Sequence, residues 1–195
     1  MQKSKSEIRR LINSNIDAWG QKPKFLTLTF ADNVTDVKTA NYEFKKFRQR
    51  LEYHFDLKLK YVVVVEFQKR GAVHYHVVLF NLPYIKNTEL SAIWGNGFIK
   101  INKITEVDNI GAYVTKYMTK EDYETNKTDK LVGQKSYFSS RGLMKPEEVL
   151  DKKEIDRVRD DLSPFKVYES TFENEYLGSI NYTQYNTNRV QKKSD

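Results

Sequence analysis

Apolar residues fall into two rhythms along this chain, and the rhythms predict most of its elements. Phe25-Leu26-Thr27-Leu28-Thr29-Phe30, which follows Pro23, alternates with period two. It predicts a strand with Thr27 and Thr29 on one face and Leu26, Leu28 and Phe30 on the other. From Thr35 to Phe55 the period lengthens, and Ala40, Phe44, Phe47 and Leu51 recur at the spacings of an amphipathic helix. Ser6 to Asp17 has the same rhythm more faintly, with Ser6 a candidate N-cap. Lys60 to Gln68 is a dense valine strand, apolar on both faces, as expected of a central strand covered on both sides. A turn containing Gly71 leads to a further strand from Val73 to Phe80, and Thr88 to Trp94 reads as a short helix broken by Gly95-Asn96-Gly97. Phe98 to Ile104 predicts one more strand. Asp108 can cap a helix from Asn109 to Lys120, in which Ile110, Val114 and Met118 make a packing stripe. Glu121 to Lys130 is polar and without period, and Val167 to Tyr185 regains a tyrosine-rich, strand-like character.

This order of elements, with its antiparallel hairpins, predicts an α+β fold: one antiparallel sheet of about five strands with helices packed mainly on one face. The expected organisation is an N-terminal helix and extension over 1–22, a single domain over 23–188 with its motifs between 25 and 120, and a disordered tail over 189–195.

The hairpin after the valine strand brings in chemistry. If Lys69-Arg70-Gly71 is a three-residue loop with glycine in its left-handed position, Gln68 faces Ala72 and Glu66 faces His74. Opposed residues project from the same side of a sheet, and His76 lies two positions further along that side. Two of the chain's three histidines and a carboxylate then converge within an apolar setting. Burying three unpaired ionisable groups together costs several kcal/mol unless something compensates them, and a divalent cation does. Glu66, His74 and His76 are therefore the candidate metal ligands. Imidazole suits zinc and the later transition metals, carboxylate and water suit magnesium and manganese, and the same donor set matches the facial triad of iron oxygenases. His54, in the preceding helix, needs no special role.

Downstream, Tyr113-Val114-Thr115-Lys116-Tyr117 sets two phenols and an ammonium on one helix face, and Lys120 extends the positive stripe. A phenol with a pKa near 10 is a poor nucleophile at neutral pH, but nearby cations favour phenolate and a metal-held phosphate is easier to attack.

Composition narrows the partners. Lys and Arg outnumber Asp and Glu by 33 to 26, for a net charge of +7, which favours an anionic partner. Tyrosine accounts for 13 residues, and such rings can stack on bases. The absence of cysteine excludes disulfides and thiolate metal sites and fits a reducing compartment. No apolar run reaches the roughly 20 residues of a membrane helix, and the charged N-terminus lacks the apolar core of a secretory signal. The expectation is a soluble, cytoplasmic protein with no membrane partner.

These motifs, in this order, resemble the HUH endonucleases, and among them the rolling-circle replication initiators of plasmids and phages. Phe25 to Phe30 matches the family's apolar, threonine-bearing strand. His74-Tyr75-His76 matches its paired histidines, with Glu66 as the upstream acid, and Tyr113 to Tyr117 matches its Tyr-x-x-Lys helix. The resemblance covers residues 25–120. It implies a ferredoxin-like or RRM-like sheet with the metal on its open face, Mg²⁺ or Mn²⁺ as the ion, and sequence-selective cutting of single-stranded DNA near an origin hairpin. It makes Tyr113 the primary nucleophile, Lys116 its electrostatic support and Tyr117 a second nucleophile, with a 5′-phosphotyrosine as intermediate. The segment Ser136 to Pro146 also resembles a stretch downstream of the tyrosine helix in phage initiators. No Gly-x-x-x-x-Gly-Lys-Ser/Thr loop is present, so a host helicase is the expected partner unless the chain is the nicking portion of something longer.

Relaxases and single-strand transposases share this chemistry, although relaxases usually carry three clustered histidines. A non-catalytic RRM-like module binding single strands by stacking is the alternative from another class, and it has no use for Glu66, His74 and His76. Lys69, Arg70, Lys100, Lys103, Lys120, Lys135 and Arg141 are the candidate DNA contacts.

Overall fold

A computed structural model of the chain describes residues 2–102, 104, 109–117 and 135–187. In chain order the elements are α1 (Gln2–Asn13), β1 (Lys24–Thr29), α2 (Val37–Phe55), β2 (Tyr61–Phe67), β3 (Val73–Leu79), α3 (Asn87–Trp94), β4 (Ile99–Asn102), α4 (Ile110–Thr115) and β5 (Tyr137–Ser139). After these come α5 (Lys152–Leu162), a 3-10 turn, β6 (Lys166–Asn174) and β7 (Gly178–Tyr185).

The five-stranded antiparallel sheet expected of the sequence is present, in the order β4-β1-β3-β2-β5. Alternation divides its side chains between two clusters. Leu26, Leu28, Val63, Val65, Tyr75 and Val77 face α2 and α3, whose Ala40, Phe44, Phe47, Leu51, Leu90 and Trp94 complete one core. Phe25, Val62, Val64 and Val78 point the other way and are covered by Ile8 and Ile12 of α1 and by Ile110 and Val114 of α4. The longer helices α2 and α3 thus share one face, and the opposite face has a smaller cover of its own.

Local chemistry explains the boundaries. Asp36 caps α2 by accepting from the Thr39 amide at 2.8 Å, and Asp56 ends the helix in the left-handed region with φ 47°. The expected start of α1 at Ser6 is corrected: the helix begins at Gln2 and ends at Asn13, because its polar first turn shows no apolar period. The cap of α4 is Asn109, which accepts from the Ala112 amide at 2.8 Å; Asp108, Met118 and the expected continuation to Lys120 lie outside the described residues. So does the expected tail over 189–195.

Backbone contacts divide the chain into two compact units, Met1–Pro146 and Glu147–Asp195, where the sequence suggested one domain over 23–188. The second unit holds α5 and the β6–β7 hairpin. Among the described residues, no helix is long and apolar enough to cross a membrane.

Within the first unit, α4 docks on α1 through Gly111. A Cβ at Gly111 would lie 2.5 Å from the Arg9 carbonyl oxygen and 2.7 Å from Asn13 Oδ1. Asn13 Oδ1 also accepts from the Gly111 amide at 3.1 Å. Replacing Gly111 with alanine is expected to lower the stability of this unit by about 1–3 kcal/mol through overpacking, read as a reduced urea midpoint. An unchanged midpoint would show that the two helices separate at no cost.

Candidate metal centre and tyrosine pair

Antiparallel register builds the centre. Glu66 stands opposite His74, and Val64 stands opposite His76, as the three-residue turn requires. Gly71 adopts φ 86°, and the Gln68 amide donates to the Ala72 carbonyl at 2.9 Å. On the far side of β3, Thr27 stands opposite His76 and Thr29 opposite His74. All of these side chains share the face that carries Phe25, Val62 and Val78.

Glu66 Oε2 lies 2.6 Å from His76 Nε2 and 3.5 Å from His74 Nδ1. One donor atom from each of the three residues falls within 4.8 Å of the others. The other ring nitrogen of His76 faces Thr27 Oγ1 at 3.4 Å. His76 is only 2% exposed. Burial alone would raise the Glu66 carboxyl, but hydrogen bonds to His74 and His76 and the charge of their rings outweigh it and bring the carboxyl down to about 2.

The residues fit a cation on an observation independent of their spacing. His74 Nε2 is buried and has no hydrogen-bond partner among the described residues. A buried ring nitrogen left this way is costly, and metal coordination is one way to satisfy it. The donor set, two imidazoles and a carboxylate without thiolate, can hold several divalent ions.

Aromatic packing joins this cluster to the tyrosines. The Tyr117 ring stacks on His76 with centroids 3.7 Å apart and planes 21° from parallel, and the Phe25 ring stacks on His76 at 5.7 Å. The Tyr117 hydroxyl donates to that of Tyr113 at 3.3 Å. The Tyr113 ring meets Phe25 edge-on at 5.5 Å, and Lys116 Nζ sits 5.2 Å from the Tyr113 ring centroid. Tyr117 lies in the turn beyond the last residue of α4, yet the two phenols still converge. Burial first, then the Tyr113 hydrogen bond and the Glu66 charge, push the Tyr117 phenol up to about 12.

Residues 23–122, just over half of the chain, match a family of replication-associated proteins, that of the ORF2 and gene-2 proteins. The chain belongs to that family. Its relatives include "Replication-associated protein ORF4" of Chlamydia phage 1, 24% identical over 57% of this chain and 34% of the relative. Another is "Phasyl DNA replicon protein arp" of Escherichia coli, 26% identical over 62% of this chain and 51% of the relative. The matched stretch thus spans between a third and a half of these longer proteins. No solved structure matches the chain. The resemblance to replication initiators is borne out at the level of the family.

The candidate DNA contacts scatter. Lys100 is exposed and stands opposite Thr27, on the sheet face that carries the histidines. Lys69 is exposed at the hairpin tip. Arg70 is committed to structure: its guanidinium donates to the carbonyls of Phe30, Ala31 and Asp32 and to Gln68 Oε1. Arg141 is exposed, and its carbonyl accepts from Lys60 Nζ at 3.0 Å. Lys135 lies against α2, beside residues of the other core. Lys103 and Lys120 fall outside the described residues. Sequence reasoning assigned no role to Phe25 or Thr27, although period-two alternation from Thr29 back along β1 puts both on the face of the histidines.

Manganese titrated into the purified chain is expected to bind at a single site. His76→Ala should weaken binding by about tenfold or more, and Thr27→Val should do so less. Affinity should fall as the pH drops below about 6.5, because protons compete for the imidazoles. Binding that is indifferent to His76→Ala would place the ion elsewhere.

Proposed function

We propose that this chain is a metal-dependent, sequence-selective single-strand DNA endonuclease and strand transferase that starts rolling-circle replication through a 5′-phosphotyrosine. The observation that carries the reading is the convergence of two phenols on a three-donor cluster. Tyr117 lies on His76 at 3.7 Å and meets the Tyr113 hydroxyl at 3.3 Å. Membership in a replication-associated family supports the same reading.

Glu66, His74 and His76 would hold the ion, Mg²⁺ or Mn²⁺, and once bound it would supply Lewis-acid polarisation of a phosphate oxygen. The remaining work falls to side chains of the protein. The Tyr113 oxygen attacks phosphorus, the bond from phosphorus to O3′ breaks, and the phenolic proton leaves to solvent. The departing oxygen takes up a proton as a free 3′-hydroxyl, while the phosphate stays on Tyr113 as an ester at the 5′ end. Reversal of these steps reseals the strand, since no phosphoester has been hydrolysed.

Tyr117, with its phenol pushed up to about 12, keeps its proton at neutral pH and so remains a donor to the Tyr113 oxygen. Such a preorganised donor supports negative charge on an attacking oxygen. In a later round Tyr117 serves as the second nucleophile. Lys116, beside the Tyr113 ring, adds positive charge to the same neighbourhood. Lys100 on β4 is the described cation best placed on this face to meet backbone phosphate. Single-stranded or hairpin origin DNA in a bacterial cytoplasm, opened by a separate helicase, completes the proposal.

Incubation with single-stranded origin DNA and Mn²⁺, followed by a denaturing gel, tests it. A covalent protein–DNA band is expected, absent with EDTA and lost or sharply reduced in Tyr113→Phe. A residual band in Tyr113→Phe that disappears on adding Tyr117→Phe would show interchangeable phenols. A band that survives both substitutions would remove tyrosine from the chemistry.

A further inference from the structure

On the opposite side of the sheet, α2 and the β2–β5 edge enclose an open groove of about 550 Å³. Its cationic wall comes from Lys38, Lys45 and Arg48 of α2 together with Lys135, which precedes β5. Its floor is aromatic, made by Phe44, Tyr61 and Phe138. Tyr61 and Phe138 are half-buried, and their rings meet edge to face with centroids 6.4 Å apart.

Helical spacing explains the wall. Lys38, Asn41, Lys45 and Arg48 follow at intervals of three, four and three, which puts them on one side of α2. Phe44, on the adjoining stripe, turns inward to the core. Among the described residues no carboxylate lines the groove; Arg48 is tied to Glu52 at 2.9 Å, one turn along.

A second depression on α2, of about 540 Å³, separates size from chemistry. It is lined by Arg48 and Lys58 but also by Glu52 and Asp56, so its charges largely cancel. Solvated lysines are common on helices. Four cations around half-exposed rings are the pairing that single-stranded nucleic acid calls for, with phosphates on the wall and unpaired bases on the floor.

We propose that this groove is a second binding site for single-stranded DNA, on the sheet face opposite the Glu66 cluster. The inference rests on the reading of the chain as a DNA-processing protein, but it does not need the nicking chemistry. Along β2, Tyr61 and Glu66 are about 16 Å apart at the usual rise per residue. One strand wrapping the β5 edge could therefore engage both faces, which would hold DNA near the tyrosines after its phosphodiester has been exchanged.

The test measures equilibrium binding of a fluorescent single-stranded oligonucleotide by the whole chain carrying Tyr113→Phe, in EDTA, so that neither ion nor covalent capture contributes. Lys38→Glu, Lys45→Glu and Lys135→Glu combined should weaken binding by about tenfold or more and reduce the salt slope by about 2. Lys58→Glu, in the mixed-charge depression, should change neither. Photocrosslinking of an iodouracil-bearing oligonucleotide should map to peptides containing Tyr61 or Phe138. Unchanged affinity and slope in the triple variant would overturn the proposal, as would charge-dependent binding that favours duplex over single strand. A groove effect without any covalent adduct from the unmodified protein would sink the nickase reading alone. An adduct with charge-indifferent binding would sink the groove alone.

Discussion

The site depends on the pairing that sets Glu66 opposite His74. Side chains in a strand alternate strictly, so a slip of one residue between β2 and β3 would exchange every inward and outward position. His74 and His76 would turn toward Phe44 and Trp94, and Val73, Tyr75 and Val77 would lose their core. Three devices hold the register. Gly71 accepts a positive φ that other residues resist, the apolar positions of both strands are filled on each face, and Arg70 ties the hairpin tip to the carbonyls at the end of β1. Arg70 acts on the metal cluster only through this geometry.

The tyrosines reach the cluster by a different route. They sit on and just beyond a short helix that has little stability alone, since helices of this length are marginal without packing. Its position comes from α1, where Ile8 and Ile12 cover Phe25, Val62 and Val64, and from Asn13, which holds the first turn of α4 through the Gly111 amide and the Asn109 side chain. The N-terminal helix is therefore part of the site's support, although no side chain of α1 touches the histidines among the contacts described. Phe25 completes the connection by stacking on His76 and meeting both tyrosines.

Period-two and period-three-to-four patterns made β1, β2, β3 and α2 legible, because each buries a continuous face and its residues had to comply. The hairpin register was legible for the same reason, and with it the convergence of Glu66, His74 and His76. Elements that bury little were harder. β5 is only three residues long and gains its place by pairing with β2, a non-local fact. α5 went unread because it buries no residue, although Asp151 capping the Glu154 amide and the spacing of Ile155, Val158 and Leu162 were available signals. The stack of Tyr117 on His76 was not legible at all, since it joins segments whose approach is set by α1. The wall of the α2 groove could have been found from the spacing of Lys38, Lys45 and Arg48, but nothing in the chain says that Lys135 comes beside them.

Charge on the histidine face carries the argument one step further. Glu66, held as a carboxylate by its two imidazole partners, is negative where a phosphate would have to approach. The described cations nearest to answer it are Lys100, across Thr27, and Lys116, beside Tyr113, and both are exposed and screened by solvent. A half-buried negative charge with only screened positive neighbours repels an anion more effectively than its neighbours attract one. The orphaned His74 nitrogen and the Glu66 carboxylate are thus two unmet demands that point to the same remedy, positive charge supplied from outside the chain. The opposite face has no such conflict, because its groove is cationic from the outset. On electrostatic grounds the two faces differ in what they require: one needs an added ion before it can accept DNA, and the other does not.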